Sequence, residues 1–269
     1  MSVAPSPDGR SRFAELHASG TFIMPNAWDV GSALVLQSLG FEAIATTSSG
    51  LAAALGRHDQ NVTLAELTVH VKDICSVVEI PVSVDSEAGY SADLEGLKRT
   101  VDLLAAAGAA GVSIEDYVPD RGLIDVEEAT DRVGSLAAAA HDEGVTVTAR
   151  AENHLYGVDE LDDTIARLQA YRRAGADAVY APGLGELDRI ARLVRELPAP
   201  VNVLVLPDGP TVDELRGIGV RRISTGGSLA FAAYGALAAA GRELLDSGTF
   251  GFMAGVLTTE EREAAFGAR

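Results

Sequence analysis

Residues 81–115 of the chain, PVSVDSEAGYSADLEGLKRTVDLLAAAGAAGVSIE, decide the fold. The two ends of this stretch, Pro81–Asp85 and Gly111–Glu115, are short apolar runs of the kind that forms buried strands. Between them, Asp93–Ala107 repeats apolar side chains at helical spacing, and glycine follows its last residue, where a helix commonly ends. The stretch therefore predicts two parallel strands joined by a helix.

The same alternation of short strand and longer helix recurs along the whole chain. Eight strands are predicted, at Phe22–Asn26, Ala43–Thr47, Pro81–Asp85, Gly111–Glu115, Val145–Arg150, Ala178–Ala181, Val201–Leu206 and Arg222–Thr225. Eight helices follow them, at Val30–Leu39, Leu64–Val78, Asp93–Ala107, Val126–Glu143, Leu161–Ala174, Leu187–Glu196, Val212–Arg216 and Leu229–Asp246. Eight such units predict a single (β/α)8 TIM barrel over residues 13–250, with a flexible tail at residues 1–12 and a C-terminal extension at residues 251–269. A doubly wound sheet is the rival, but it would usually need fewer units or a second domain.

The acidic composition of the chain excludes several classes of function. The chain has 39 acidic and 21 basic residues, a net charge of −18 and no local cluster of basic residues, so we expect no nucleic-acid partner. The single cysteine, Cys75, cannot form an internal disulfide, which favours a cytoplasmic location. The longest weakly polar run, residues 226–241, is too short to span a bilayer, so no membrane segment is expected.

Acidic residues stand at the ends of two neighbouring predicted strands. Asp85 and Glu87 end the third strand and Glu115 ends the fourth, and the C-terminal ends of barrel strands share one rim. Three carboxylates that converge there would repel one another unless a cation joins them, and oxygen ligands suit Mg²⁺ or Mn²⁺. The alternative is that these residues are acids of solvent-facing loops.

Three further features bear on the chemistry. Arg150 ends the fifth strand, where its guanidinium can pair with a carboxylate or a phosphonate, although a salt bridge to Glu115 or Glu152 is the structural alternative. The segment Thr46–Gly50 is a Ser/Thr/Gly loop whose backbone N–H groups can hold a substrate oxygen. The only two lysines, at positions 72 and 98, fall in outer helices, which excludes Schiff-base aldolase chemistry.

Taken together, the motifs at the strand ends resemble the phosphoenolpyruvate mutase/isocitrate lyase superfamily. The resemblance covers nearly the whole chain. The segments that carry it are Pro25–Asp29, Thr46–Gly50, Leu55–Asp59, Asp85–Tyr90, Gly111–Asp116, Ala149–Glu152 and Pro200–Val203.

The resemblance implies a Mg²⁺-dependent enzyme that binds a small 2-oxo or 2-hydroxy acid and makes or breaks a C–C or P–C bond through an enolate-like intermediate. It implies Asp85 as a direct metal ligand, with Glu87 and Glu115 as further or water-mediated ligands. It also implies catalytic roles for Arg150, Glu115 and Asp59. The substrate-binding residues that it implies are Trp28, Thr47, Ser48, Ser49, Gly50 and Asn202. Relatives in this family often form homo-oligomers, tetramers or dimers, in which the last helix swaps between subunits, and this expectation extends to the present chain.

The chain also departs from the family in one loop. Isocitrate and methylisocitrate lyases carry a loop with lysine, cysteine and histidine after the fourth strand, whereas residues 116–125 here contain none of the three. The lysine of the mutase gating loop is missing as well. What remains resembles the short members, similar to oxaloacetate decarboxylases and to carboxyvinyl-carboxyphosphonate phosphorylmutases.

The function predicted from the sequence is therefore a Mg²⁺-dependent lyase that cleaves a C–C bond of an oxaloacetate-like acid. Within the family, the alternative is a phosphoenolpyruvate or phosphonopyruvate mutase or a P–C hydrolase. From a different class, the alternative is a non-catalytic barrel that binds a dicarboxylate.

Overall fold

The computed structural model describes residues 7–267 and confirms the predicted barrel. Its main sheet is parallel throughout, and each strand pairs with its neighbours around a ring. The strands of this sheet are β1 (Phe22–Met24), β2 (Asn26–Ala27), β3 (Ile44–Thr46), β4 (Val82–Asp85), β5 (Gly111–Glu115), β8 (Thr146–Arg150), β9 (Ala178–Tyr180), β10 (Val201–Leu204) and β11 (Arg222–Ser224). A separate antiparallel hairpin, β6 (Tyr117–Val118) with β7 (Gly122–Leu123), follows β5.

The first predicted strand is divided in two, and this division closes the barrel. β1 pairs with β11, whereas β2 pairs with β3 on the opposite side. Pro25 stands between the two halves and has no N–H to donate to a ladder. β1 and β2 together occupy one position in the barrel, so the nine short strands form the eight strand positions that the sequence predicts.

Most predicted helices lie within a few residues of their observed bounds. The observed helices are α1 (Pro7–Leu16), α2 (Val30–Ser38), α3 (Ser48–Ala54), α4 (Leu64–Cys75), α5 (Leu94–Ala107), α6 (Val126–Asp142), α7 (Leu161–Ala174), α8 (Leu187–Glu196), α9 (Val212–Gly217), α10 (Ser228–Asp246) and α11 (Thr259–Phe266), and a 3-10 turn spans Gly251–Gly255. Helix α5 shows why the outer ring forms, because Leu97, Val101 and Leu104 recur at helical spacing and are buried against the sheet. Among residues 7–267, no helix has both the length and the apolar character that a membrane span requires.

The prediction of a flexible tail over residues 1–12 is wrong for residues 7–12, which belong to α1. Residues 1–6 lie outside the described part of the chain. Phe13 of α1 is fully buried, and it fills the space next to Gly111, where a Cβ would lie 2.5 Å from the phenyl ring. Arg10 donates to the carbonyl oxygens of Ala105 (2.7 Å), Ala109 (3.2 Å) and Glu143 (2.5 Å). These tertiary contacts stabilise a helix whose own sequence, rich in Pro, Ser and Gly, does not predict one.

The last long helix, α10, packs little against the rest of the chain. Only Ala230 of this helix is buried, and Phe231 and Leu237 are 54% and 68% exposed. The 3-10 turn and α11 follow residue 250, and α11 packs against α2 of the same chain.

Candidate active site

A cavity of about 230 Å³ opens at the C-terminal ends of the barrel strands. Asp59, Asp85 and Arg150 line it, together with the predicted loop residues Thr47, Ser48 and Ser49. Parallel strands bring most of these residues together because each lies at or just beyond the end of its own strand, whereas Asp59 comes from the loop between α3 and α4. The cavity is thus where the architecture predicts the chemistry to lie.

Arg150 is the centre of charge at this rim. Its guanidinium contacts Asp85 Oδ1 (2.8 Å), Glu115 Oε2 (3.2 Å) and Glu152 Oε1 (2.7 Å). The sequence offered a salt bridge to Glu115 or to Glu152 as the structural alternative for Arg150, and the structure contains both. One guanidinium faces three carboxylates, so the formal charge of the group is −2 when all four are ionised.

Burial sets the protonation of this group. Burial raises the pKa of Glu115 well above its usual range and raises that of Glu152, and the charge of Arg150 opposes both shifts. Burial alone would lower the pKa of Arg150, but the three carboxylates raise it well above its ordinary value. The guanidinium is therefore a permanent cation, and the excess of negative charge around it is the unstable part of the site.

Asp85 is held in place from both its backbone and its side chain. The Asp85 N–H donates to Thr46 Oγ1 (3.0 Å), and the Ser48 N–H donates to Asp85 Oδ2 (3.1 Å). Ser48 belongs to the first turn of α3, so the segment predicted as a loop at Thr46–Gly50 is partly helical, with Thr47 as the N-cap. An N-cap residue followed by small residues is a helix signal in the sequence, and α3 follows it.

Glu87 is a strained and buried acid beside Asp85. It lies in a tight turn with φ 46°, where a side chain is rarely accommodated. Its Oε1 atom is buried without a well-formed hydrogen bond, as is the hydroxyl of Tyr90, which lies close enough to the carboxylate to influence its pKa. Burial and the nearby charge of Asp85 raise its pKa to about 7. Burial raises the pKa of Asp59 too, and Asp85 adds to that shift. A divalent cation among Asp59, Asp85 and Glu87 would relieve this repulsion and satisfy the unpartnered oxygen.

The predicted triad of Asp85, Glu87 and Glu115 does not converge on one point. Within residues 7–267, no cluster of three or more His, Cys, Asp or Glu side chains has the geometry of a metal site. The Glu115 carboxylate instead contacts Arg150 (3.2 Å) and accepts from Gln60 Nε2 (3.0 Å). Asp59, Asp85 and Glu87 lie close enough for the charge of Asp85 to raise the pKa of the other two, but they too do not form such a cluster.

The other predicted substrate-binding residues divide into two groups. Asn202 lines the cavity, where its amide donates to Ser224 Oγ (2.9 Å). Trp28 and Gly50 do not line it. Trp28 belongs to the turn that begins α2, and Gly50 packs so closely against it that an added Cβ would lie 2.8 Å from Trp28 Cβ. Their role in this structure is to pack the first and second βα loops together.

Three residues near Arg150 are absent from the sequence prediction of the site. Glu152 orients the guanidinium, and its own N–H is held by Asp116 Oδ1 (2.8 Å). Tyr180 lies under the guanidinium, with its ring centroid 5.3 Å from the Arg150 carbon. Gln60 reaches Glu115 from a loop. The signal that would have predicted two of them is position: Tyr180 ends β9 beside Arg150 in the register, and Glu152 lies two residues beyond Arg150, in phase with it.

Comparison with known proteins places this arrangement in a family. The family model for phosphoenolpyruvate phosphomutase matches residues 13–245. The chain belongs to the phosphoenolpyruvate mutase family, as its motifs indicate.

Several members of this family have names that describe lyases. Oxaloacetate decarboxylase of Pseudomonas putida strain GB-1 is 30% identical over 246 residues, which cover 87% of this chain and 83% of that protein. 2-Methylisocitrate lyase of Salmonella typhimurium is 30% identical over 222 residues, 77% of this chain and 75% of that protein. The crystal structure of a Burkholderia cenocepacia J2315 protein, provisionally described as a lyase/mutase, has a TM-score of 0.92 and 41% identity, and covers 97% of this chain and 96% of that one.

Proposed function

We propose that the protein is a divalent-metal-dependent lyase that cleaves a C–C bond of a small 2-oxo or 2-hydroxy acid of the oxaloacetate type. The observation that carries this proposal is the setting of Asp85, which lines the cavity, pairs with Arg150 and neighbours the unpartnered oxygen of Glu87. The similarity to oxaloacetate decarboxylase and 2-methylisocitrate lyase supports the same reaction class.

The chain offers distinct residues for the metal and for the substrate. Asp85 and Glu87 would hold Mg²⁺ or Mn²⁺, with Asp59 close to the waters of the ion. When bound, the cation offsets the negative charge that develops on the enolate oxygen of the substrate. Arg150 uses three of the five N–H donors of its guanidinium on Asp85, Glu115 and Glu152, so two N–H groups remain for a substrate carboxylate.

In the proposed reaction on oxaloacetate, the bond between C3 and the distal carboxylate breaks. CO₂ leaves, and the bonding electron pair moves to form the enolate of pyruvate, which then takes a proton at C3. Asp59 is the acid placed best to supply that proton, because it lines the cavity and burial raises its pKa. Glu115 is held away from the cavity by Arg150 and Gln60, so its part is to fix the guanidinium.

The direct test is pyruvate release from oxaloacetate in the presence of Mg²⁺. We expect pyruvate release with the protein and Mg²⁺ to be faster than with Mg²⁺ alone. We expect Asp85→Ala to lower kcat at least about 100-fold, because Asp85 positions both the metal and Arg150 in the proposed reaction. Asp102→Ala is the matched control, since Asp102 is an exposed acid on α5, and we expect it to match the wild type. A wild-type rate no higher than that of Mg²⁺ alone across a panel of oxo-acids would refute the proposal.

A phosphonate reaction is the second candidate, because the matching family model is that of phosphoenolpyruvate phosphomutase. Phosphorus NMR with phosphonopyruvate separates the two. Conversion of phosphonopyruvate without turnover of oxo-acids would favour the mutase or hydrolase. Tight dicarboxylate binding without turnover of either substrate would favour a non-catalytic binding barrel.

The protein is also proposed to act as a homo-oligomer, a dimer or tetramer, in the cytoplasm. The exposed apolar side chains of α10 support an oligomer, since Leu245 is 88% exposed and only Ala230 of this helix is buried. Light scattering after size-exclusion chromatography tests it, and a monomer at micromolar concentration would contradict it.

A further inference from the structure

The turn that follows β4 has a costly backbone. Glu87, Gly89 and Tyr90 all have positive φ angles (46°, 86° and 55°), and only the glycine adopts such angles freely. Gly89 also has no room for a side chain, since an added Cβ would lie 2.3 Å from Leu97 Cδ2. Such a turn persists only where its surroundings hold it in place.

Arg132 of α6 is the side chain that spans this turn. It is 4% exposed, and it reaches the turn from a helix that begins after the next strand. Its Nη2 atom donates to the carbonyl oxygens of Ala88 (2.6 Å) and Ser91 (2.8 Å). One nitrogen therefore bridges the two residues that flank Gly89 and Tyr90.

No carboxylate neutralises this buried cation. Among residues 7–267, Arg132 forms no salt bridge, its hydrogen bonds all go to backbone carbonyl oxygens, and its Nε atom is buried without a partner. Glu128, one turn earlier on α6, is paired with Arg121 instead (2.6 Å). A buried charge without a counter-ion destabilises a fold unless its hydrogen bonds offset the cost, and here those bonds go to the turn.

The turn is joined directly to the candidate site. Glu87 lies two residues beyond the end of β4, and its carbonyl oxygen accepts from the N–H of Glu115 (3.0 Å), the last residue of β5. Thr100 Oγ1 donates from α5 to the Gly89 carbonyl oxygen (2.8 Å). The backbone that carries Glu87 is therefore fixed from β5, from α5 and, through Arg132, from α6.

We propose that Arg132 is a positioning residue of the candidate site. By bridging Ala88 and Ser91, it holds the turn in the strained shape that keeps the Glu87 carboxylate beside Asp85. Arg132 does not line the cavity, so it acts through the turn and not on a substrate. The inference deepens the proposed function and rests on it where Glu87 serves a divalent cation, whereas the hold of Arg132 on the turn is independent of any metal.

Hydrogen exchange of the full chain without added metal measures this hold. Two amides report on the turn, since the Gly89 N–H donates to the Ser86 carbonyl oxygen (2.7 Å) and the Glu115 N–H donates to that of Glu87 (3.0 Å). We expect Arg132→Met to raise the exchange rate at both amides at least about 10-fold, the size of one lost charge-assisted hydrogen bond. Arg132→Lys keeps a charged donor without the planar fork, so it should raise both rates about 3-fold.

Mn²⁺ binding to the folded protein, measured by isothermal calorimetry, is the second readout. We expect Arg132→Met to weaken Mn²⁺ binding at least about 10-fold and Arg132→Lys to recover part of that loss. Two controls separate this role from general stability. Phe13→Ala removes a buried ring that packs beside Gly111, at the start of β5, and Arg99→Met removes an exposed arginine of α5. Both should keep the wild-type exchange at the turn and the wild-type affinity for Mn²⁺.

The outcomes that would overturn the proposal are distinct from those that bear on the proposed function. Wild-type exchange at Gly89 and Glu115 in Arg132→Met, or a rise of the same size in Phe13→Ala, would overturn it. Wild-type Mn²⁺ affinity in Arg132→Met would do so too, and Arg132→Lys carries both readouts if Arg132→Met fails to fold. A wild type that binds no Mn²⁺, together with faster exchange at the turn in the Arg132 variants, would support the hold on the turn and refute only the metal of the proposed function.

Discussion

At the scale of single residues, Arg150 depends on its neighbours for its orientation. Glu152 is 1% exposed, lies outside the cavity lining and contacts the guanidinium through Nε, while Asp116 fixes the Glu152 backbone. Glu152 is therefore a positioning residue. Together with Asp85 and Glu115 it fixes the orientation of the guanidinium, and thereby the direction of the two N–H groups that make none of these contacts.

Glu152→Gln tests this role. The amide keeps the shape but weakens the contact to Arg150, so we expect kcat on the substrate to fall about 10-fold or more with a smaller change in the free energy of unfolding. Steady-state kinetics and urea unfolding of the same preparation check it. Unchanged kcat in Glu152→Gln would show that Arg150 is oriented without this contact.

His17 gives a pH dependence of stability with a definite sign. Burial, and then the charge of Arg222, lower the pKa of His17 from 6.5 to about 3 in the folded protein. Below pH 6.5 the unfolded chain binds a proton at this residue and the folded chain does not, so the free energy of unfolding falls as the pH drops from 6.5 towards 3. The loss from this residue is about 1.4 kcal/mol per pH unit in that window.

The matched comparison is His17→Gln, which has no imidazole to titrate. Urea unfolding at pH 7, 6 and 5 should show a steeper loss of stability in the wild type than in His17→Gln, and a wild-type slope in His58→Gln, whose side chain is exposed. Equal slopes in the wild type and His17→Gln would mean that His17 is protonated in the folded protein.

At the scale of elements, α1 closes the end of the barrel opposite the active-site cavity. Phe13 is fully buried, and Arg10 joins the helix to the carbonyl oxygens that end α5 and follow α6. We expect Phe13→Ala to lower the free energy of unfolding by about 3–5 kcal/mol, the usual cost of removing a buried phenyl ring. Val69→Ala, at a 59% exposed position of α4, should change it by less than about 0.5 kcal/mol. Urea unfolding measures both, and a near-neutral Phe13→Ala would show that α1 is not part of the folded core.

The elements also show how far the sequence predicts this protein. The eight strand positions and eight outer helices are predictable because each has a strong local pattern of apolar residues. The observed bounds of Gly111–Glu115 and Leu161–Ala174 agree with the prediction. Helix α1 is not predictable locally, because Phe13 and Arg10 stabilise it through contacts with distant residues. The short helix α3 was predicted as a loop, since its Ser and Gly residues have low helix propensity and only the Thr47 cap indicates it.

The same limit applies to the site. Arg150, Asp85 and Ser48 were predictable because strand ends of a barrel share one rim, whereas Asp59 and Asn202 were implied by the family resemblance. The orientation of the Glu115 side chain was not predictable, because the sequence does not show whether its carboxylate binds a cation or pairs with Arg150. Arg222 also lines the cavity, and it was not predicted because it is the first residue of β11 rather than the last.

At the scale of the whole molecule, the negative charge is concentrated where it needs a counter-ion. The net charge is −18, and five acids in and around the cavity lie close to Arg150: Asp59, Asp85, Glu87, Glu115 and Glu152. Burial, and then the charge of Asp85, raise the pKa of Glu87 and of Asp59, so keeping these acids ionised costs folding free energy. A divalent cation would therefore stabilise the fold as well as the reaction.

Titration of the protein with Mn²⁺, followed by isothermal calorimetry on the wild type, Asp85→Ala and Asp102→Ala, measures this cation directly. We expect one Mn²⁺ per chain in the wild type and in Asp102→Ala, and none in Asp85→Ala. Failure of the wild type to bind Mn²⁺, or binding that is unchanged in Asp85→Ala, would contradict a metal centre built on Asp85.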